Sequence, residues 1–253
     1  MKARPCEYVI ILLMTACLAG TSASADPAVL FGQANALYQE GQYEEALQGY
    51  EQILAGGVES GVLYYNMGNC YYKLGELGPS ILFYERARRL MPRDEDLLAN
   101  LAIANLSVMD KIEPRPDFLL LRLWRGFVHL LPPAVLMAAG LGVYLAAVLV
   151  LILWIILRRR FLGRTALVLG AAVAVLAVML VSRWHDDARN REAVILADKV
   201  DVMSAPTARG GTEIFSLHEG TKVTLDQQQD EWVEIILPDR KVGWVKADVL
   251  GVI

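Results

Sequence analysis

Residues 27–60, PAVLFGQANALYQEGQYEEALQGYEQILAGGVES, and residues 61–94, GVLYYNMGNCYYKLGELGPSILFYERARRLMPRD, align one above the other without a gap. A period of 34 with a glycine near its middle marks a helix-turn-helix repeat. Leu30 falls over Tyr64, Ala34 over Gly68, Tyr38 over Tyr72, Gly41 over Gly75, Ala46 over Ser80, Tyr50 over Tyr84 and Glu51 over Glu85, and Pro92 closes the second copy. Small side chains at Ala34, Gly68, Ala46 and Ser80 let paired helices approach, and large ones at Leu30, Tyr64, Tyr50 and Tyr84 fill the space between them. Gly41 and Gly75 are the turns. The pattern continues for half a unit, with Leu98, Asn100, Leu101 and Ala102 one period beyond Tyr64, Asn66, Met67 and Gly68.

The repeat resembles the tetratricopeptide (TPR) family, and the reading is an all-α repeat over 27–110, made of 27–60, 61–94 and a capping helix at 95–109. The resemblance implies that the first helix of each pair lines a concave groove. The corresponding positions are Phe31, Asn35, Tyr38, Tyr65, Asn66, Asn69, Tyr72, Lys73 and Asn100. Asparagine carries both donor and acceptor, so these amides suit the backbone of a bound peptide while the tyrosines pack on its side chains. They equally suit bridges between neighbouring repeats. On the first reading, replacing Asn35, Asn69 and Tyr72 abolishes partner binding and leaves the repeats folded. The asparagines also resemble part of the carboxylate clamp of some TPR domains. Phe31 stands where that clamp has a lysine, and Asp96 and Asn100 stand where it has a further basic pair, so carboxylate binding is not carried over.

C-terminal to the repeats, Pro114 and Pro116 break helix, and 117–131 interleaves Leu, Trp124 and Phe127 with Arg122 and Arg125. This reads as an interfacial helix or a linker. Residues 134–157 hold no charged side chain over 24 positions, and 165–182 hold none over 18. At ~1.5 Å per residue the shorter run covers ~27 Å, near the ~30 Å of a hydrocarbon core. Both read as spanning helices. Arg158, Arg159, Arg160 and Arg164 fall in a seven-residue loop between them, which the positive-inside rule assigns to the cytoplasm. Both flanking regions then face the periplasm. At the N-terminus, Lys2 and Arg4 precede a short apolar stretch and Ala23-Ser24-Ala25, the pattern of a signal peptide over 1–25. Lipoprotein processing at Cys17 is the rival expectation.

After Arg183 the chain changes to short β-rich runs at 193–197, 200–203, 213–217, 222–225, 231–237 and 241–246, separated by turn residues. Six strands in about 60 residues suggest a small all-β barrel over 192–253. The order of Val202-Met203-Ser204-Ala205-Pro206, Leu217-His218-Glu219-Gly220-Thr221, Glu231-Trp232-Val233-Glu234-Ile235 and Val242-Gly243-Trp244-Val245 is similar to bacterial SH3-like domains. That resemblance implies binding of peptidoglycan peptides or protein segments, with Trp232 and Trp244 as candidate site residues. Core packing is the other role open to either ring. His218, in a turn, reads as a hydrogen-bonding surface residue.

The expected organisation is therefore multidomain: a TPR helical repeat, a transmembrane α-helical hairpin and an SH3-like β-domain. It explains how 253 residues reach 55% hydrophobic content and a mean hydropathy of +0.36. With 24 basic and 28 acidic side chains, the net charge of −4 argues against nucleic acid, whose phosphates require clustered Lys and Arg. No nucleophile elbow, phosphate loop or dinucleotide fingerprint occurs, and Cys70 lies in a predicted helix as a small core residue. No cofactor, metal or catalytic residue is expected, and His185, Asp186 and Asp187 read as solvated. The whole order resembles the BatE-type proteins of the Bat aerotolerance group. That resemblance implies an inner-membrane scaffold associated with von Willebrand factor A domain membrane proteins and, indirectly, a MoxR-type ATPase, in a complex linked to oxidative or envelope stress. The alternative is a cell-wall sensor that binds peptidoglycan through the β-domain.

Overall fold

The computed structural model describes residues 26–116, 118–189, 191–206 and 210–253. The signal-peptide segment, 1–25, lies outside the described residues. The chain divides after Ser107 into two compact units.

The first unit is a helical repeat resembling TPR. It comprises α1 (Pro27–Gln39), α2 (Tyr43–Ala55), α3 (Gly61–Leu74), α4 (Leu77–Leu90) and α5 (Glu95–Ser107), each packed on its chain neighbour. The 34-residue period reaches the caps. Asp26 accepts the Ala28 N–H at 3.0 Å, Ser60 that of Leu63 at 3.1 Å and Asp94 that of Leu97 at 2.9 Å. Each thus satisfies an otherwise orphaned donor at the start of α1, α3 or α5. Gly41 and Gly75 turn the chain at φ +81° and +84°, where a side chain is strained. Tyr50 and Tyr84 are buried between the helices. A Cβ on Gly68 would stand 2.6 Å from the Tyr84 ring, so the glycine is what admits the tyrosine. The buried Ser80 hydroxyl donates to the Gly68 carbonyl at 2.9 Å and fastens α4 to α3 at the same spot.

The second unit opens with an extended segment, 108–116, and an amphipathic helix, α6 (Leu119–Val128). Then follow α7 (Pro133–Leu157) and α8 (Arg160–Arg189), two helices long and apolar enough to cross a membrane. Almost none of their residues are fully buried within the protein, unlike those of a core helix in a globular domain. They pack against each other, and α6 rests at their far end through Val128, Leu136 and Met179. The expected seven-residue arginine loop is shorter: α7 ends at Arg158 with φ +52°, and α8 already begins at Arg160. The residues from Arg160 to Arg164 include no proline, and Arg and Leu are good helix formers, so the first turn forms despite its charge. Gly163 meets the Trp154 indole closely across this turn.

After α8 come β1 (Arg191–Ile195), β2 (Lys199–Met203), β3 (Glu213–His218), β4 (Lys222–Gln229), β5 (Trp232–Ile236), β6 (Val242–Lys246) and β7 (Leu250–Val252). They form one antiparallel sheet in the order β3-β2-β6-β5-β4-β1-β7. β7 is a strand beyond the six expected. The sheet is not closed as a barrel would be: β3 and β7 are its edges. At the β2–β6 junction the register is a single pair, Met203 with Trp244, beside a bulge at Val202/Met203 that bends the strand. Alternate residues, including Val200, Val202, Ile235 and Val245, face one buried core.

Candidate peptide-binding groove

A groove of about 390 Å³ in the first unit is lined by Tyr38 of α1, Tyr65, Asn69, Tyr72 and Lys73 of α3, Tyr84 of α4, and Asn100 and Ile103 of α5. Six of these eight are residues that the sequence proposes. Tyr84 and Ile103 are additions. Ile103 lies one turn after Asn100, and that spacing alone places it on the same helix face. Tyr84 reads from sequence only as a core filler, and its buried ring does fill the core while its edge reaches the groove.

The asparagines have a more definite role than their positions suggest. Asn35 Oδ1 accepts the Tyr50 hydroxyl at 2.6 Å and Asn66 Nδ2 at 3.1 Å. One period later, Asn69 Oδ1 accepts the Tyr84 hydroxyl at 2.7 Å and Asn100 Nδ2 at 3.0 Å. Asn100 Nδ2 also donates to the Tyr65 hydroxyl at 2.9 Å. In each rung the phenol donates to the asparagine Oδ1, and the amide N–H groups of Asn66 and Asn100 donate onward along the ladder. The result is a ladder of side-chain bonds from α1 to α3 to α5. Asn35 and Asn66 are absorbed in its first rung and do not line the groove. Phe31 lies elsewhere, packed on Tyr50 with ring centroids 5.7 Å apart and facing a separate apolar pocket with Val58 and Leu63. The Asn35 and Asn69 substitutions expected to spare the fold therefore remove rungs of the repeat, because each leaves a buried tyrosine hydroxyl without its acceptor.

Burial raises the pKa of Tyr38 and Tyr84, and pushes that of Tyr50 up to about 12. These phenols are neutral donors throughout the physiological range. Among the described residues of the groove lining, Lys73 is the one cation. The lining thus offers aromatic faces, phenolic and amide groups and a single ammonium, a chemistry that suits an extended polypeptide. Cys70, beneath it, is buried, and burial pushes its thiol up to about 12, so it is not poised as a nucleophile. Among the described residues no cluster of His, Cys, Asp and Glu could hold a metal ion.

In the second unit, Trp232 pairs with Lys246 and Trp244 with Glu234 across β5 and β6. This register puts both tryptophans on one face and Val233, Ile235, Gly243 and Val245 on the other, core-facing one. The two rings thus share the face away from the core, with Lys246 Nζ 6.0 Å from the centre of the Trp232 ring. Trp232 is buried and Trp244 half-buried. Arg158 and Arg159 form the turn between α7 and α8, and Arg160 and Arg164 lie on the first turns of α8.

A site that sequence reasoning left unassigned joins the two ends of the second unit. Asp110 Oδ2 accepts the His218 N–H and the Thr221 hydroxyl, both at 2.7 Å, and Asp110 Oδ1 lies 3.0 Å from His218 Nδ1. His218 is a hydrogen-bonding residue, and its partner is 108 positions away. Burial opposes ionisation of Asp110, but the bonds from His218 and Thr221 outweigh it and hold the carboxyl below its ordinary value. Asp110, counted on sequence with the repeats, belongs to the second unit.

No protein-family model matches this sequence, and no curated protein matches it. Among solved structures, the chain is similar to one titled the TPR2AB-domain:pHSP90-complex of yeast Sti1. The identity is 18% over 65% of this chain and 54% of that one, with a TM-score of 0.30. The chain thus spans about half the length of that solved chain. The repeat architecture rests on the 34-residue period, the recurring caps and the asparagine ladder of the chain itself.

Proposed function

We propose that this protein is a non-enzymatic scaffold of the inner (cytoplasmic) membrane that binds proteins through its helical repeat. The observation that carries the reading is the groove itself. Its walls are fixed by an inter-repeat hydrogen-bond ladder, and its lining of Tyr38, Tyr65, Tyr72 and Lys73 has peptide-binding chemistry and no catalytic constellation. In this reading α7 and α8 span the bilayer with Arg158 and Arg159 on the cytoplasmic side. The repeat, proposed as 27–110, and a C-terminal SH3-like module, proposed as 192–253, are then both periplasmic. The order of modules supports a BatE-type role, with von Willebrand A domain membrane proteins as partners and a MoxR-type ATPase engaged indirectly, in oxidative or envelope stress tolerance.

The test is affinity purification of the full chain from membranes, comparing wild type with Tyr38→Ala/Tyr72→Ala and with Lys73→Glu. These side chains line the groove and hold no rung of the ladder, so partner recovery is lost and the repeats stay folded. Undiminished recovery removes the groove from the account.

A second reading, a cell-wall sensor, is favoured by the placement of Trp232 and Trp244 together on the face away from the sheet core. Co-sedimentation of the full chain with purified sacculi, and its loss on Trp244→Ala, distinguishes this reading. The absence of co-sedimentation rejects it.

A further inference from the structure

The segment 108–116 has no regular secondary structure and does not join the sheet, yet it is attached to the sheet domain by side-chain and backbone contacts. The Asp110 carboxylate takes the His218 N–H and the Thr221 hydroxyl and approaches the His218 ring. Ile112 packs against the hydrophobic core of the sheet. The Arg115 N–H donates to the Pro238 carbonyl at 3.1 Å. The receiving groups come from the end of β3, the turn before β4 and the turn after β5.

The sequence explains why the segment is extended. Pro114 and Pro116 exclude helix and push Glu113 and Arg115 towards extended backbone. Asp110 and Ile112 are half-buried while Lys111 and Glu113 are exposed, the alternation of a strand with one side against a surface. The attachment includes a charge-assisted carboxylate site, an aliphatic seat two residues on, and a backbone bond from Arg115. That is the pattern by which a domain recognises a short extended peptide.

We propose that this surface of the β-domain, built from His218, Thr221, Pro238 and the seat of Ile112, is a peptide-recognition site, and that Asp110–Arg115 is its resident, displaceable ligand. The external partner it fits is an extended protein segment with an aspartate two residues before an aliphatic side chain. The resident segment is tethered, so its effective concentration is high and it holds the site closed against weak competitors. An incoming segment must therefore displace it. This inference deepens, and rests on, the reading of the C-terminal domain as a protein-binding module; it is independent of the helical-repeat groove.

The test uses the full chain in detergent micelles and a fluorescent nonapeptide with the sequence of residues 108–116, VMDKIEPRP. Asp110→Ala/Ile112→Ser unseats the resident segment, and binding of the peptide then tightens by about tenfold or more over wild type. Thr221→Val in that background weakens binding by about tenfold or more, the effect of one lost hydrogen bond to a charged group, and alanine in place of the aspartate in the peptide weakens it by at least as much. The inference is overturned if the unseated protein, folded by the circular dichroism of its sheet, binds no better than wild type. It is equally overturned if the aspartate-free peptide binds as well as its parent. If the unseated sheet melts, added peptide decides: a raised melting temperature supports a ligand site, whereas no shift at saturating peptide identifies 108–116 as a structural strand. The groove of the repeat is untouched in every arm, so a negative result here leaves the groove reading to its own test.

Discussion

Replacing Asn69 with alanine tests whether the asparagine ladder holds the groove together. The substitution removes the acceptor of the Tyr84 hydroxyl at 2.7 Å and of Asn100 Nδ2 at 3.0 Å. Tyr84 is 1% exposed, so its hydroxyl has little access to water in the intact repeat, and groove water entering the space left by Asn69 recovers only part of the loss. An orphaned buried hydroxyl costs ~1–3 kcal/mol and the second, half-buried bond ~0.5–1.5 kcal/mol, a loss of about 2–4 kcal/mol. For a unit of this size ~1 kcal/mol corresponds to ~4–8 °C, so the repeat melts about 8–30 °C lower. Tyr84→Phe removes the stranded hydroxyl. Adding it to Asn69→Ala costs little more, and the two substitutions couple by about 1–2 kcal/mol. The assay is hydrogen exchange with temperature in the full chain in detergent, read in peptides from α3 to α5, because the apolar helices do not melt with the repeat. A loss below ~0.5 kcal/mol, within the range of ordinary surface substitutions, refutes the ladder, as does strict additivity with Tyr84→Phe.

Gly68→Ala drives a Cβ to 2.6 Å from the Tyr84 ring and destabilises the repeat by ~1–3 kcal/mol through overpacking, measured by the same exchange experiment. Cys70, with its thiol pushed up to about 12 by burial, resists iodoacetamide in the native chain and reacts fully in denaturant, as peptide mass spectrometry of that residue will show. The Asp110 attachment depends on pH. Its folded carboxyl lies below the ordinary value of ~3.9, so the attachment is fully present above that value and is lost as pH falls through the lower folded value. Acid therefore releases hydrogen-exchange protection of the His218 amide, and Thr221→Val moves that release to higher pH.

Much of the repeat was legible because each helix pair must solve the same packing problem. Ala34 and Gly68, like Ala46 and Ser80, recur at one period for the same steric reason, and the caps Asp26, Ser60 and Asp94 obey it too. Most of the groove followed, since helix faces are set by spacing. The state of the asparagines did not, because a sequence gives the donors and acceptors of Asn35 and Asn69 without saying that buried tyrosines one helix away have claimed them. The start of α8 was misplaced because a run of arginines ends a hydrophobic window without ending a helix. The open edges of the sheet depend on which strands pair, and alternation within a strand carries no such information. The Asp110 site was invisible, since its partners lie 108 and 111 residues away and a lone aspartate before a proline-rich stretch reads as linker.

The proposed function places the meeting point with a partner in the groove of the helical repeat. Site-specific photo-crosslinking of the full chain in native membranes measures it most directly, with benzoylphenylalanine placed at Tyr72, which lines the groove, or at Gln48, which is exposed on α2 and does not. A discrete protein adduct is expected from position 72, lost when Lys73→Glu is added, and none from position 48. Adducts of equal yield from both positions, or from position 48 alone, would contradict that placement.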